Sequence, residues 1–117
     1  MADTFLQQLV EEVNRFVEDR DWQQFHTPKN LSMALSVEAA ELVEHFQWLT
    51  ADQSDDLPRD KCAAVGEELA DILIYTIMVA ERLGLDLEVA TRDKMAQNRR
   101  KYPVEKARGL AAKYTEL

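Results

Sequence analysis

The fold is decided by the run VGEELADILIYTIMVA at residues 65–80. It is apolar around most of the helical circumference, and Glu68 and Asp71 interrupt it with an i, i+3 spacing. On an α-helix this spacing places both carboxylates on one face. A helix that is apolar on several sides must be covered on several sides, so the run predicts a helical bundle with contacts between subunits.

A second segment carries a matching pair of acids. Residues 35–43 read LSVEAAELV, with Glu38 in the middle of a leucine stripe and Glu41 at its edge, beside His45. The usual environment of such acids is a solvated helix face. An ionised carboxylate in an apolar interior, in contrast, is costly unless a positive charge compensates it. Two i, i+3 pairs on apolar helices therefore predict a metal site, and oxygen ligands favour Mg²⁺ or Mn²⁺ over zinc.

Apolar periodicity and capping residues predict four helices. The first covers residues 5–19 and is capped by Asp3 or Thr4, and the second runs from its cap Asn30 to about residue 48, after Pro28 has broken the helix. The third covers about 61–83. The fourth begins after Asp86 and ends near residue 102.

The remaining segments are predicted to be irregular. Residues 50–60 are polar and read as a surface loop, and residues 104–117 form a loosely patterned C-terminal tail. No segment has the alternation of a strand. The predicted class is therefore all-α, with residues 1–117 as a single domain, a four-helix bundle protomer that assembles as an oligomer.

The third predicted helix also suggests where subunits meet. Leu69 and Leu73 lie on its main apolar face, whereas Ile74 and Met78 lie on the opposite side. One layer of helices cannot easily cover both sides. The side with Ile74 and Met78 is therefore predicted to be the subunit interface.

Composition bounds the possible partners. The 117 residues are 46% hydrophobic and 31% charged, as in a soluble globular protein, and the net charge of −8 argues against binding to a nucleic-acid polymer. The longest apolar stretch, residues 72–80, is too short to cross a membrane. The N-terminal residues 1–13 lack a secretory apolar segment, and the only cysteine, Cys62, fits a reducing compartment. These features predict a cytoplasmic protein without a membrane partner.

Two further groups of residues have two interpretations each. The basic end of the fourth helix either complements the helix dipole or clamps phosphates. The aromatic residues near the loops either fill the core or stack on a flat ring. The basic group comprises Lys94, Arg99, Arg100 and Lys101, with Asn98 and Tyr102, and the aromatic group comprises Trp22, Trp48 and Tyr75.

Nearly the whole chain resembles the dCTP pyrophosphatase branch of the MazG-like all-α NTP pyrophosphatase superfamily. The superfamily pattern is ExxE, a spacer, and ExxD, which here is Glu38/Glu41 followed by Glu68/Asp71. The resemblance extends over RDWQQFHTPKNL (20–31), FQW (46–48), EELADILIY (67–75), NRRKYPV (98–104) and KYTEL (113–117). One departure is Val37, since MazG motifs commonly begin with two adjacent glutamates. At most three acids, Glu38, Glu41 and Glu44, then lie on the second helix.

The resemblance implies hydrolysis of a nucleoside triphosphate between the α and β phosphates, giving the monophosphate and pyrophosphate. Glu38, Glu41, Glu68 and Asp71 would be the catalytic acids and hold Mg²⁺, and one of them or Glu44 would orient the attacking water. The substrate would be dCTP or a C5-modified dCTP, removed from the nucleotide pool. Residues matching positions around the nucleotide are Trp22, His26, Trp48, Tyr75 and Asn98, and those facing phosphates are Lys94, Arg99, Lys101 and Tyr102.

The resemblance also implies a homotetramer, a dimer of dimers, with active sites near the subunit boundaries. Two alternatives to the dCTP assignment stay open. The same chemistry could serve another base, such as dUTP or a non-canonical purine triphosphate. Alternatively, the chain could be a non-catalytic acidic helical adaptor.

Overall fold

The computed structural model describes residues 3–117, so the first two residues of the predicted domain lie outside the described residues. The described residues form helices and turns without a strand, which confirms the all-α class. They divide into two compact units, residues 3–84 and 85–117, and each is described by itself below. Within the described chain, no helix combines the length and the apolar character that a bilayer crossing requires.

The first helix, α1 (Phe5–Asp19), has the predicted bounds. Thr4, and not Asp3, is its N-terminal cap. The Thr4 hydroxyl accepts a hydrogen bond from the Gln7 amide at 3.2 Å, and the Gln7 side chain accepts one from the Thr4 amide at 2.7 Å. This capping box satisfies two amides at the helix start. Val13 and Val17, on the apolar face of α1, are buried.

The second helix, α2 (Pro28–Glu44), corrects two predictions about its start. Thr27, and not Asn30, is the cap, because the Thr27 hydroxyl accepts a hydrogen bond from the Asn30 amide at 3.1 Å. Pro28 does not break the helix but occupies its first turn. Proline suits that position because an amide there would have no partner within the helix.

The predicted end of α2 near Trp48 is also wrong. The helix ends at Glu44, and the amides of His45 and Phe46 bond to carbonyls three residues back. These tighter bonds turn the chain away from the helix axis. Thr50 then begins a short helix, α3 (Ala51–Ser54), by forming a capping box with Gln53, so the predicted loop at 50–60 is partly helical.

The long helix α4 (Arg59–Arg82) forms the centre of the first unit. It packs chiefly against α2 and also against α1. Ile77 and Ala80 of α4 and Leu31 of α2 are buried between these helices. Gly84 then terminates the segment with a left-handed φ of 68°, a conformation that glycine adopts without strain.

The exposure of the two apolar sides of α4 differs from the expectation that α1 to α4 cover Leu69 and Leu73 and leave Ile74 and Met78 open. Ile74 and Met78 are half-buried, because α1 lies beside them and forms with them an open, mostly apolar cleft of about 160 Å³ that Val13 and Phe16 also line. Leu69 and Leu73, which were assigned to the covered face, are instead 51% and 40% exposed. The open apolar face of α4 is therefore the one that carries these two leucines.

The second unit contains α5 (Leu87–Lys101), the short helix α6 (Val104–Ala107) and a 3₁₀ turn at Tyr114–Glu116. Asp86 caps α5 as predicted, and its carboxylate accepts a hydrogen bond from the Val89 amide at 3.1 Å. The predicted unpatterned tail therefore contains two short helical turns. Within this unit the tail folds back, since the Lys101 ammonium lies 4.6 Å from the centre of the Tyr114 ring.

Candidate metal centre

Three of the four predicted metal ligands converge where α2 meets α4. Glu38 and Glu41 extend from α2 and Glu68 from α4, and each offers a carboxylate oxygen within 4.8 Å of the other two. All three side chains are half-buried. The i, i+3 spacing positions the first two on one face of α2, and the packing of α4 brings the third opposite them.

These carboxylates lack enough hydrogen-bond donors. One oxygen of Glu38 and one of Glu68, both Oε2, are buried without a hydrogen-bond partner. Ionised carboxylates only accept hydrogen bonds, so the three groups cannot satisfy one another. Either a proton or a cation is needed among them.

The pKa of Glu38 reflects this shortage. Hydrogen bonding of the protonated Glu38 carboxyl to Glu41 and then burial are the largest causes that raise its pKa from 4.5 to about 7. Hydrogen bonding to Glu68 and the negative charges of Glu41 and Asp71 raise it further. A carboxyl with a pKa near 7 is protonated in about half of the molecules at neutral pH, so the Glu38 proton can supply the missing donor.

The same arrangement suits a hard divalent cation. The candidate ligand atoms are all carboxylate oxygens. Three of them, one from each glutamate, lie close enough to bind one ion, and two oxygens of the cluster are buried without a hydrogen-bond partner. Mg²⁺ and Mn²⁺ prefer such ligands. The residues present thus fit the predicted metal.

Asp71, the fourth predicted ligand, lies at the edge of this cluster. It is exposed, and it falls outside the group of three oxygens within 4.8 Å of one another. Its charge still helps to raise the pKa of Glu38. On the other edge, His45 Nε2 lies 3.8 Å from Glu68 Oε1. The sequence signal for His45 was its i, i+4 spacing from Glu41.

A groove of about 690 Å³ begins at His45. Glu44, Trp48 and Lys61 line it, together with residues of the segment around α3. The Trp48 side chain is 86% exposed, so its indole face is free in this chain. Tyr75 is half-buried on α4, one turn beyond Asp71.

Two more predicted residues, Trp22 and His26, lie in the turn between α1 and α2. The Trp22 ring meets the Phe16 ring edge-on at 5.6 Å and the His26 ring at 6.0 Å between centroids. The Arg20 guanidinium stacks 3.7 Å from the centre of the Phe16 ring. His26 is half-buried and lines a cleft of about 190 Å³, whose other walls come from α1, α2, α4 and the turn itself.

Sequence reasoning missed three residues beside that cleft. Asn14 of α1 donates a hydrogen bond to Glu81 of α4 at 2.8 Å, and Arg82 donates one to the carbonyl of Gln23 at 3.2 Å. In the sequence, neither Glu81 nor Arg82 has a pattern that distinguishes it from an exposed charge on a helix. The available signal was Asn14, a polar residue between Val13 and Val17 on a helix that packs against α4.

The predicted phosphate-binding residues all lie in the second unit. Arg99 and Arg100 are exposed in the last turn of α5, and Asn98 is half-buried. Lys94 donates a hydrogen bond to Gln97 at 3.0 Å. Tyr102 meets Tyr114 edge-on at 6.1 Å, beside the contact of Lys101 with the same ring.

Comparison with known proteins finds one matching family and several similar proteins. Residues 33–117 match the profile of the MazG-like family. The chain is similar to proteins named dCTP pyrophosphatase 1 from Bos taurus, at 49% identity over 105 residues, and from Homo sapiens, at 48%. These alignments include 87% of this chain but only 62% and 61% of the relatives, so the chain spans about three fifths of their length.

A solved structure also resembles the chain. It is a pyrophosphatase from Archaeoglobus fulgidus, with a TM-score of 0.81 and 35% sequence identity. The match covers 88% of this chain and 96% of that one.

Proposed function

This chain belongs to the MazG-like family, and we propose on that basis that it is a nucleoside triphosphate pyrophosphohydrolase of the cytoplasmic nucleotide pool. The observation that carries the proposal is the convergence of Glu38, Glu41 and Glu68 within 4.8 Å. The reaction hydrolyses the bond between the α and β phosphates, leaving a monophosphate and pyrophosphate. The names of the mammalian relatives favour dCTP, or a C5-modified dCTP, as the substrate.

The carboxylates have the chemistry that this reaction needs. Glu38, Glu41 and Glu68 would hold Mg²⁺ or Mn²⁺. Asp71, which lies on the same face of α4 as Glu68, would be a further ligand. When bound, the cation supplies charge neutralisation at the phosphates and a water of lowered pKa. Glu44, which lines the adjoining groove, is proposed as the alternative to these four acids for orienting the attacking water.

The nucleoside would be held by aromatic side chains. Trp48 is free to stack on a base from the groove beside the carboxylates, and stacking of this kind contributes about 1–3 kcal/mol per base. Trp22, His26 and Tyr75 are proposed to contact the rest of the nucleoside. The proposed phosphate-binding residues are those at the basic end of α5: Lys94, Asn98, Arg99, Lys101 and Tyr102.

The decisive experiment is product analysis on a panel of triphosphates. The protein is incubated with Mg²⁺ and dCTP, 5-methyl-dCTP, dUTP, dTTP or dITP, and the products are separated by ion-exchange chromatography. We expect dCMP and pyrophosphate, with dCTP or its C5-modified form as the fastest substrate. A faster reaction with dUTP or dITP would reassign the base. Release of dCDP and orthophosphate would contradict the α–β assignment, and absence of all turnover would favour an adaptor.

We further propose that the protein is a homo-oligomer, a tetramer built as a dimer of dimers, and that α4 supplies an interface. Leu69 and Leu73 are spaced i, i+4, so they share a helix face, and both are substantially exposed. An apolar patch of this kind is typical of a surface that another subunit covers.

Leu69→Glu is therefore expected to lower the mass measured by light scattering at micromolar concentration. A buried, unpaired carboxylate at the interface would oppose association. Leu83→Glu is the matched control, because Leu83 is 53% exposed at the end of α4, close to the 51% of Leu69. A monomeric mass for the wild-type protein, or equal effects of the two substitutions, would contradict this interface.

A further inference from the structure

The turn between α1 and α2 is tied to α4 through one main-chain carbonyl. Arg82, the last residue of α4, donates from Nη1 to the carbonyl oxygen of Gln23 at 3.2 Å. The same oxygen accepts a hydrogen bond from the main-chain amide of His26, also at 3.2 Å. A contact made by Arg82 therefore acts on the peptide group that fixes the position of His26.

Other contacts hold the remaining parts of this turn. From α2, the Asn30 side chain donates to the carbonyl of Phe25 at 3.0 Å. From α1, the Phe16 ring packs against Trp22. Asp21 has a left-handed φ of 53°, which is unfavourable for a residue with a side chain. Because the turn contains this strained residue, it depends on the contacts around it.

The neighbouring residue on α4 strengthens the anchor. Glu81 accepts the hydrogen bond of Asn14, so the end of α4 contacts α1 as well as the turn. Arg82 and His26 both line the cleft of about 190 Å³, with Arg82 on the wall formed by α4. The guanidinium is thus close to the turn residues that are proposed to bind the nucleotide.

We propose that Arg82 is a positioning residue, which holds the Gln23 carbonyl so that Trp22 and His26 are preorganised for nucleotide binding. This inference rests on the proposed function, because it concerns residues of the same site. Arg82 itself need not touch the substrate. Losing the tether would leave the turn to be ordered during binding, which lowers affinity and leaves the hydrolytic step unaffected.

The test compares Arg82→Met with the wild-type protein by steady-state kinetics on dCTP. We expect KM to rise about tenfold, as for loss of a hydrogen bond to a charged group, while kcat changes less than about twofold. Hydrogen exchange in the absence of nucleotide should be faster at the amides of Phe25 and His26, which are hydrogen-bonded within the turn.

Two further variants separate positioning from general stability. Gln23→Ala keeps the main-chain carbonyl that accepts the bond, so its KM and exchange should match wild type. Arg82→Lys keeps the positive charge at the end of α4 and one donor, and it should recover part of the lost affinity. A purely structural role for Arg82 would lower the melting temperature of Arg82→Met without changing KM, and this result would overturn the inference.

The failure of this inference can be told apart from failure of the proposed function. If the wild-type protein hydrolyses dCTP and Arg82→Met has the same KM, the inference is wrong and the function stands. The inference is equally wrong if exchange in the turn rises but KM does not. If the wild-type protein hydrolyses no triphosphate, the proposed function fails and the positioning role fails with it.

Discussion

Replacing Glu38 with glutamine is expected to lower turnover about 10²–10³-fold while leaving the metal-free protein at least as stable as the wild type. The glutamine amide can donate a hydrogen bond to Glu41, as the protonated Glu38 carboxyl does in the wild type. The cluster then has the donor it lacks, and this donor is not lost when the pH rises. A neutral amide is, however, a poor substitute for a carboxylate as a ligand of Mg²⁺. Loss of activity would then be accompanied by retained or increased stability.

This combination distinguishes a metal site from a structural acid. Activity is measured by release of pyrophosphate, Mn²⁺ affinity by calorimetry, and stability of the metal-free protein by thermal unfolding. Glu67→Gln is the matched control, because Glu67 is the neighbour of Glu68 but is exposed and outside the cluster. Unchanged Mn²⁺ binding and turnover in Glu38→Gln would show that the site has been misplaced.

Binding of Mn²⁺ is expected to release close to one proton at pH 6 and almost none at pH 8.5. The pKa of Glu38 is raised to about 7 through hydrogen bonding to Glu41 and through burial, so at pH 6 the carboxyl holds a proton that a cation must displace. Below pH 7 the apparent affinity for the cation should therefore fall by about tenfold per pH unit. Turnover at limiting metal concentration should fall with it.

The stability of the metal-free protein should have the opposite dependence on pH. Between pH 4.5 and about 7, the folded protein holds a proton on Glu38 that the unfolded chain has already released. The folded state binds more protons in this window, so stability is highest near its lower end and decreases as the pH rises through 7. Because other acids also titrate at low pH, the quantity to compare is the stability of the wild type minus that of Glu38→Gln at each pH.

Calorimetry in buffers of different ionisation enthalpy measures the released protons, and thermal unfolding between pH 5 and 8.5 measures the stability. Glu38→Gln should release fewer protons at pH 6 and should lack the loss of stability that is specific to the wild type. Equal proton release at pH 6 and 8.5 would show that Glu38 is ionised before the cation binds.

Local patterns predicted the elements that depend on nearby residues. The bounds of α1 follow from an apolar stripe and a capping box, and the start of α5 follows from the Asp86 cap. The acids on α2 and α4 were identified because a carboxylate inside an apolar stripe is unusual. Where two local signals competed, the prediction was wrong. Pro28 predicts a helix break when read alone, although proline is also favoured in the first turn of a helix, which is where it lies.

Contacts between distant segments could not be predicted in the same way. Periodicity divided α4 into two apolar faces but did not reveal that α1 would cover Ile74 and Met78 and leave Leu69 and Leu73 exposed. The local sequence pattern does not distinguish the two faces, because both consist of apolar residues. The choice between them depends on which helix packs where.

The chain itself determined the helical class, the four acids and their i, i+3 spacing, because these follow from the chemistry and periodicity of neighbouring residues. Only the tertiary structure decided that three of these acids converge within 4.8 Å, that two of their oxygens are buried without a partner, and that Asp71 lies outside this group. It also brought Arg82 to the carbonyl of Gln23, across 59 positions of sequence. Spacing along one helix determines which side chains share a face, whereas the partner of that face is determined by packing.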